Sequence, residues 1–110
     1  MPETSPLAPA SFYVLFALSE GDKHGYAIMQ GVRILSEGQF DMGPATLYTN
    51  LQRLLDSRWI KEVPGPKGID ARRRYYRITP EGRVVLAAEL ARMEAILRKS
   101  KALKLDLAGS

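Results

Sequence analysis

In the first third of the chain the apolar residues form a continuous run and then a set at helical spacing, and both patterns predict short helices. An apolar run over residues 10–18 follows Pro9, which suits the first turn of a helix, and precedes Gly21, which suits its end. The length and β-rich content of this run would also permit a strand, and we prefer the helix. Asp22 is expected to cap a second helix over residues 25–35. Its apolar positions keep the four-then-three spacing of one buried face: Ile28, Val32 and Leu35.

A third helix is predicted to begin at Pro44, because proline favours the first helical position and Gly43 precedes it. One face carries an apolar stripe at positions i, i+4, i+7 and i+8, namely Leu47, Leu51, Leu54 and Leu55. The opposite face is expected to carry side chains suited to outward hydrogen bonding, namely Thr46, Thr49, Asn50 and Arg53.

Two strands are predicted around a loop rich in glycine and proline. Residues 58–63 and residues 72–79 have strand-forming composition, and residues 64–68 can only form a turn or loop. Together they predict a β-hairpin. Strand alternation places Tyr76 and Ile78 on the core face and leaves the other face to Arg73, Tyr75 and Arg77.

The last predicted element is a helix longer than a domain of this size needs. Thr79 can cap it, Pro80 can occupy its first position, and it could run to about residue 105. A seam of apolar residues steps by four, three and four: Leu86, Leu90, Met93 and Leu97. One alternative is that this seam packs only on its own domain, but so long a helix would overhang a small core. We therefore expect the seam to be a dimer interface.

The order helix, helix, helix, strand, strand, long helix is the plan of a winged helix-turn-helix. We therefore expect a mainly α (α+β) fold with a two-stranded β wing and a long C-terminal dimerisation helix. The predicted division is a flexible arm (1–9), a winged helix domain (10–79), a dimerisation helix (80–105) and a frayed tail (106–110). In this plan the third helix enters the DNA major groove and the wing reaches the backbone or the minor groove.

Composition narrows the classes of function. A chain of 110 residues without cysteine and with one histidine, His24, has no thiolate or histidine-rich metal site, and we expect no metal, cofactor or catalytic site. A capping or packing role is expected for His24. No basic segment precedes an apolar one at the N-terminus, and no apolar run is long enough to span a bilayer, so we expect a cytoplasmic protein.

Charge is divided unevenly along the chain. The net charge is +4, but residues 1–55 balance to −2 and residues 56–110 to +6. A basic half favours a polyanionic partner, either nucleic acid or an anionic membrane surface.

Three segments in this order resemble the PadR family of transcription regulators. They are His24-Gly25-Tyr26 with Ile28, then Pro44-Ala45-Thr46-Leu47-Tyr48 with Leu51, Arg53 and Leu54, and then Arg74-Tyr75-Tyr76-Arg77-Ile78-Thr79 with Gly82 and Leu86. The resemblance covers most of residues 10–90. It implies a homodimer that binds double-stranded operator DNA and usually represses, of the type with one C-terminal helix. Ala45 departs from the glycine common in the family.

Candidate DNA contacts follow from the third helix and the wing. Asparagine can read adenine and arginine guanine, whereas threonine and tyrosine mostly hold phosphates. The candidates are Thr46, Tyr48, Thr49, Asn50 and Arg53 on the helix, and Lys67, Arg72, Arg73, Arg74 and Arg77 on the wing. The alternatives are an ordinary solvated helix face and a basic, solubilising strand edge. Tyr26 is expected in or near the core, and Trp59 either beneath the wing or in a ligand pocket.

The sequence thus predicts a sequence-specific DNA-binding regulator, a repressor acting as a homodimer on a palindromic operator. The resemblance adds a small-molecule effector at the dimer interface. One alternative is a winged helix used for protein–protein assembly, and another is sequence-independent binding of nucleic acid.

Overall fold

The computed structural model describes residues 7–68 and 73–103, which form four helices and one small sheet. In chain order the elements are α1 (Pro9–Ser19), β1 (Lys23–His24), α2 (Gly25–Leu35), α3 (Pro44–Asp56), β2 (Ile60–Val63), β3 (Tyr75–Ile78) and α4 (Pro80–Ala102). The mainly α winged helix prediction is confirmed. The predictions for the arm up to residue 6, for Arg72 and for the chain beyond residue 103 lie outside the described residues.

Local sequence signals place the starts of three helices as predicted. Pro9, Pro44 and Pro80 each occupy the first turn of a helix, where a missing backbone N–H costs nothing. The Thr79 hydroxyl accepts a hydrogen bond from the Gly82 N–H at 3.0 Å and so caps α4. The apolar run after Pro9 is a helix and not a strand.

The cap expected for α2 at Asp22 is wrong, whereas the capping or packing role expected for His24 is confirmed. The sequence pattern also did not predict the short strand that precedes α2. His24, not Asp22, is the N-cap, and its Nδ1 accepts a hydrogen bond from the Ala27 N–H at 3.3 Å. Lys23 and His24 form strand β1, which pairs antiparallel with β3 through Lys23↔Tyr76 and His24↔Tyr75. The sheet therefore has three strands in the order β1-β3-β2, and the wing hairpin is tied to the helical part of the domain.

The core forms where α1 meets the apolar faces of the other elements. The predicted stripes of α2 and α3 supply Ile28, Val32, Leu47, Leu51 and Leu54, and the sheet supplies Ile60, Tyr76 and Ile78. Trp59 is half-buried and packs against this core. Two side chains lie elsewhere than expected, because Tyr26 is 62% exposed and Tyr75, expected on the outer face, is buried.

Helix α4 extends beyond the domain that it begins in. Its first half packs on α1 and β3, and the buried Gly82 and Leu86 lie in this part. The Glu89 carboxylate is also buried and accepts a hydrogen bond from Arg92 Nε at 3.2 Å. The helix continues for more than three turns past Glu89, and this second half carries exposed apolar side chains.

Candidate nucleic-acid interface

The outer face of α3 is exposed and polar. Thr46, Thr49 and Arg53 lie on this face as predicted, and Tyr48 lies at its edge with half of its side chain in solvent. Gly43 caps α3 without a side chain, so the first turn offers bare backbone N–H groups. Hydroxyl, phenol, guanidinium and backbone N–H groups are all able to hydrogen-bond base edges or phosphate oxygens.

Asn50 does not lie on the outward face, which corrects the prediction. It is 8% exposed, and its Nδ2 donates to the Thr46 carbonyl oxygen at 2.9 Å. The helical spacing explains the position, because residue 50 follows Leu47 by three and precedes Leu54 by four, inside the apolar stripe. Its amide therefore satisfies its own helix.

The sequence reasoning missed Gln52, which lies on the outer face instead. Gln52 is exposed, and its Nε2 donates to Asp56 Oδ1 at 2.9 Å. Glutamine can make a bidentate contact to adenine, as asparagine can. The signal was available, since residue 52 follows Thr49 by three positions and so shares its face.

The arginines of the wing differ in their exposure and in the ion pairs that they make. Arg73 and Arg74 are exposed, and Arg74 Nη1 lies 3.4 Å from Glu62 Oε2 in a solvent-exposed ion pair. Lys67 is exposed in the turn after β2. Exposed ion pairs contribute little to stability, so Arg74 can exchange its carboxylate for a phosphate at small cost.

Arg77 is engaged within the protein. Its Nε donates to Asp22 Oδ1 at 3.0 Å and its Nη2 to Asp22 Oδ2 at 2.8 Å. This two-pronged pair joins β3 to the turn between α1 and α2. The hydrogen bonds from Arg77 hold the pKa of Asp22 below its usual value, and the same bonds raise the pKa of Arg77. The predicted phosphate contact of Arg77 competes with this pair.

A groove joins α2, α3 and the wing. It has a volume of about 500 Å³ and is lined by His24, Gly25, Tyr26, Tyr48, Arg73 and Arg74. The imidazole of His24 stacks edge-on against Tyr75, with ring centroids 5.3 Å apart, and its Nε2 lies 3.1 Å from Arg73 Nη1. Burial first, and the charge of Arg73 second, lower the pKa of His24. The groove brings arginines of the wing to the edge of α3.

Gly25 lies where the start of α2 comes close to α3. A Cβ on Gly25 would lie 2.7 Å from the Tyr48 hydroxyl oxygen and 3.4 Å from Leu47 Cδ2. A larger residue would therefore displace Tyr48, which borders the groove. Gly25 is the second residue of the His24-Gly25-Tyr26 motif, and the closeness of Tyr48 is a physical reason for glycine at this position.

The predicted seam on α4 divides into a buried and an exposed part. Leu86 is 6% exposed and belongs to the core of its own domain, so its assignment to a dimer interface is corrected. Leu90, Met93 and Leu97 continue the same face beyond the core and are exposed, and so is Ile96 beside them. Exposed leucine and methionine in a row form an apolar strip suited to association.

Within residues 7–68 and 73–103, no three His, Asp or Glu side chains are grouped so that they could hold a metal ion. Of the helices in the same ranges, none has both the length and the apolar character needed to cross a bilayer.

Comparison with known proteins identifies the family. Residues 14–88 match the family model described as the transcriptional regulator PadR-like family. A solved transcriptional regulator from Clostridium thermocellum is 32% identical, with a TM-score of 0.61 over 86% of this chain and 88% of that one. A PadR family transcription regulator from Clostridium difficile is 21% identical, with a TM-score of 0.73 over 89% and 100% of the two chains.

A third solved structure is BpsR of Bordetella bronchiseptica, a protein whose DNA binding is regulated by 6-hydroxynicotinic acid. It is 23% identical, with a TM-score of 0.69 over 98% of this chain and 74% of that one. Similarity at this level of identity shows the shared fold. The family match covers the second half of α1, all of α2 and α3, the wing and the start of α4, and it confirms the resemblance found in the sequence. The chain belongs to the PadR-like family of transcriptional regulators.

Proposed function

We propose that this protein is a sequence-specific transcriptional repressor that binds a palindromic operator as a homodimer. One observation carries the proposal: Tyr48, at the edge of the exposed polar face of α3, lines one groove together with the exposed Arg73 and Arg74 of the wing. A recognition helix with basic groups beside it can read base edges and hold the flanking backbone at the same time.

The residues proposed to contact DNA follow from their exposure. On α3 they are Thr46, Tyr48, Thr49, Gln52 and Arg53, and on the wing they are Lys67, Arg73 and Arg74. Asn50 is left out of this set because it is buried and bonded to its own helix, and Arg77 is left out because its guanidinium makes two hydrogen bonds to Asp22. Arg72 stays a prediction from the sequence.

The exposed apolar strip of α4 supports the homodimer. Leu90, Met93 and Leu97 lie on one side of a helix that extends beyond its own core. Burying a large apolar side chain contributes about 1.5–3 kcal/mol, and each of these is already partly covered, so the gain is at the lower end of this range. A two-fold dimer would place two α3 helices on one face of DNA, with half-sites about one helical turn apart.

A small-molecule effector is part of the proposal on family grounds. BpsR, which shares the fold, has its DNA binding regulated by 6-hydroxynicotinic acid. We expect any effector of this protein to bind where the two subunits meet, because a ligand there changes the distance between the recognition helices. The proposed operator binding also places the protein in the cytoplasm.

The experiment begins with selection of duplexes from a random pool, which finds the operator wherever it lies in a genome. Fluorescence anisotropy then compares the selected duplex with its scrambled sequence across a salt series. We expect tighter binding to the selected duplex by about 10³-fold or more, and a steep loss of affinity with salt.

Two variants separate base recognition from general charge. Arg53→Ala removes a guanidinium from the outer face of α3 and should lower affinity about tenfold or more. Arg98→Ala removes an exposed guanidinium from the far part of α4, where it pairs with Glu94, and should leave affinity unchanged. Equal affinity for both duplexes would contradict sequence-specific recognition. Absence of binding at low salt would favour the protein-assembly alternative.

A further inference from the structure

The two ring nitrogens of His24 have different roles. Nδ1 accepts a hydrogen bond from the Ala27 N–H at 3.3 Å. This N–H lies in the first turn of α2, where the helix itself provides no acceptor. A neutral imidazole has one acceptor nitrogen and one N–H. Burial and Arg73 lower the pKa of His24 and so favour this neutral ring. The cap at Nδ1 therefore places the proton on Nε2.

Nε2 faces a second donor and not an acceptor. It lies 3.1 Å from Nη1 of Arg73, and a guanidinium has only donors. Nε2 could accept from Arg73 only if Nδ1 carried the proton, and α2 would then lose its cap. The Ala27 N–H is held in place by the helix, whereas Arg73 is exposed and can turn toward solvent. The cap is retained, and the Nε2–H and the Arg73 guanidinium lie close enough for a single oxygen to accept hydrogen bonds from both once the guanidinium turns.

We propose that His24 Nε2–H and the Arg73 guanidinium together bind one phosphate of the DNA backbone. This inference rests on the proposed function and adds a binding residue to it. A phosphate oxygen only accepts hydrogen bonds, so it supplies an acceptor that neither donor finds among residues 7–68 and 73–103. Tyr48 of α3 lines the same groove, so a phosphate held there flanks the bases that α3 faces.

The surroundings of His24 hold the donor in place. The edge-on contact with Tyr75 and the cap on α2 restrain the ring from two sides. His24 is also paired with Tyr75 through the sheet, so the wing and α2 meet at this residue. A phosphate bound there would join the wing to α2 through the DNA, which gives His24 a role in binding besides its role as a cap.

His24→Asn separates the two roles. Asparagine is a good N-cap, since its side-chain oxygen can accept from the Ala27 N–H, but it has no donor at the position of Nε2. We expect the thermal midpoint of His24→Asn to stay close to that of the wild type. Its affinity for the selected duplex should fall about tenfold, as expected for loss of a hydrogen bond to a charged group.

The salt series distinguishes a neutral donor from a charge. His24→Asn should leave the salt slope unchanged, because a neutral side chain displaces no counterion. Arg73→Ala should reduce the slope by about 0.9 for each phosphate that the variant no longer neutralises. The double variant should lose less affinity than the product of the two single losses, because both side chains serve the same phosphate.

A duplex series with single uncharged methylphosphonate linkages provides a second measurement, in which each protein is compared with itself on modified and unmodified duplexes. One linkage in each half-site should weaken binding of the wild type but not weaken His24→Asn/Arg73→Ala any further. Wild-type affinity in His24→Asn, or independent effects of the two substitutions, would overturn the inference and leave His24 as a cap. Absence of duplex binding by the wild type would instead overturn the proposed function.

Discussion

The contact between Gly82 and the chain entering β2 leads to a quantitative prediction for Gly82→Ala. Gly82 lies in the first turn of α4, and a Cβ there would be 2.1 Å from the Trp59 carbonyl oxygen and 2.8 Å from Ile78 Cγ1. The carbonyl cannot turn away cheaply, because it accepts a hydrogen bond from the Thr79 N–H at 3.0 Å. Ile78 belongs to the sheet on which α4 packs, and Trp59 directly precedes strand β2 of that sheet.

The loss in free energy of unfolding follows from the distance by which the backbone must move. A close carbon–oxygen contact is about 3.3 Å, so α4 and the sheet must separate by roughly 1 Å. Overpacking of this kind costs about 1–3 kcal/mol, and a backbone obstacle favours the upper end. Alanine regains up to about 1 kcal/mol through its helix propensity. We expect a net loss of about 2 kcal/mol, or a thermal midpoint lower by roughly 8–16 °C.

Chemical and thermal unfolding measure this loss, with Gly43→Ala as the matched control. Gly43 is the N-cap of α3, and nothing lies within 4 Å of the position that its Cβ would occupy. The control should therefore lose less than about 1 kcal/mol, the difference between glycine and alanine at an N-cap. Equal stability of the two variants would refute the argument that close contact at Trp59 sets the position of α4.

Three further predictions test the dimer, a cap and an ion pair. Leu90→Glu should produce monomers in light scattering, whereas Val84→Glu, on the opposite side of α4, should not; equal behaviour of the two would contradict the interface. Thr79→Ala should lower the free energy of unfolding by about 1–2 kcal/mol in urea, and Thr79→Ser should restore most of it. Arg77 lowers the pKa of Asp22 below its usual 3.8, so the ion pair stabilises the fold above that pH. The advantage of the wild type over Asp22→Asn should therefore vanish as the pH falls through the folded-state pKa, and a constant difference would contradict this.

The sequence alone was sufficient for features that depend on near neighbours. Helix starts at Pro9, Pro44 and Pro80 follow from proline geometry, and the buried faces of α2 and α3 follow from helical spacing. The overhang of α4 also follows from its length and its seam. The same helical spacing places Asn50 on the buried face and Gln52 on the exposed face. Both positions could therefore have been predicted from the sequence, although the prediction for α3 placed Asn50 outward and omitted Gln52.

Only the tertiary structure decided the contacts between distant parts of the chain. Strand β1 has two residues, too few for an alternating pattern, and it exists because β3 offers it a partner. Asp22 and Arg77 are 55 positions apart, and His24 and Arg73 are 49 apart. Neither pairing leaves a local signal, because each depends on the fold that brings β1 and the turn before it against β3. The sequence therefore determined the helices, the wing hairpin and the family, and the folded chain determined which arginines are held within the protein and which face the groove.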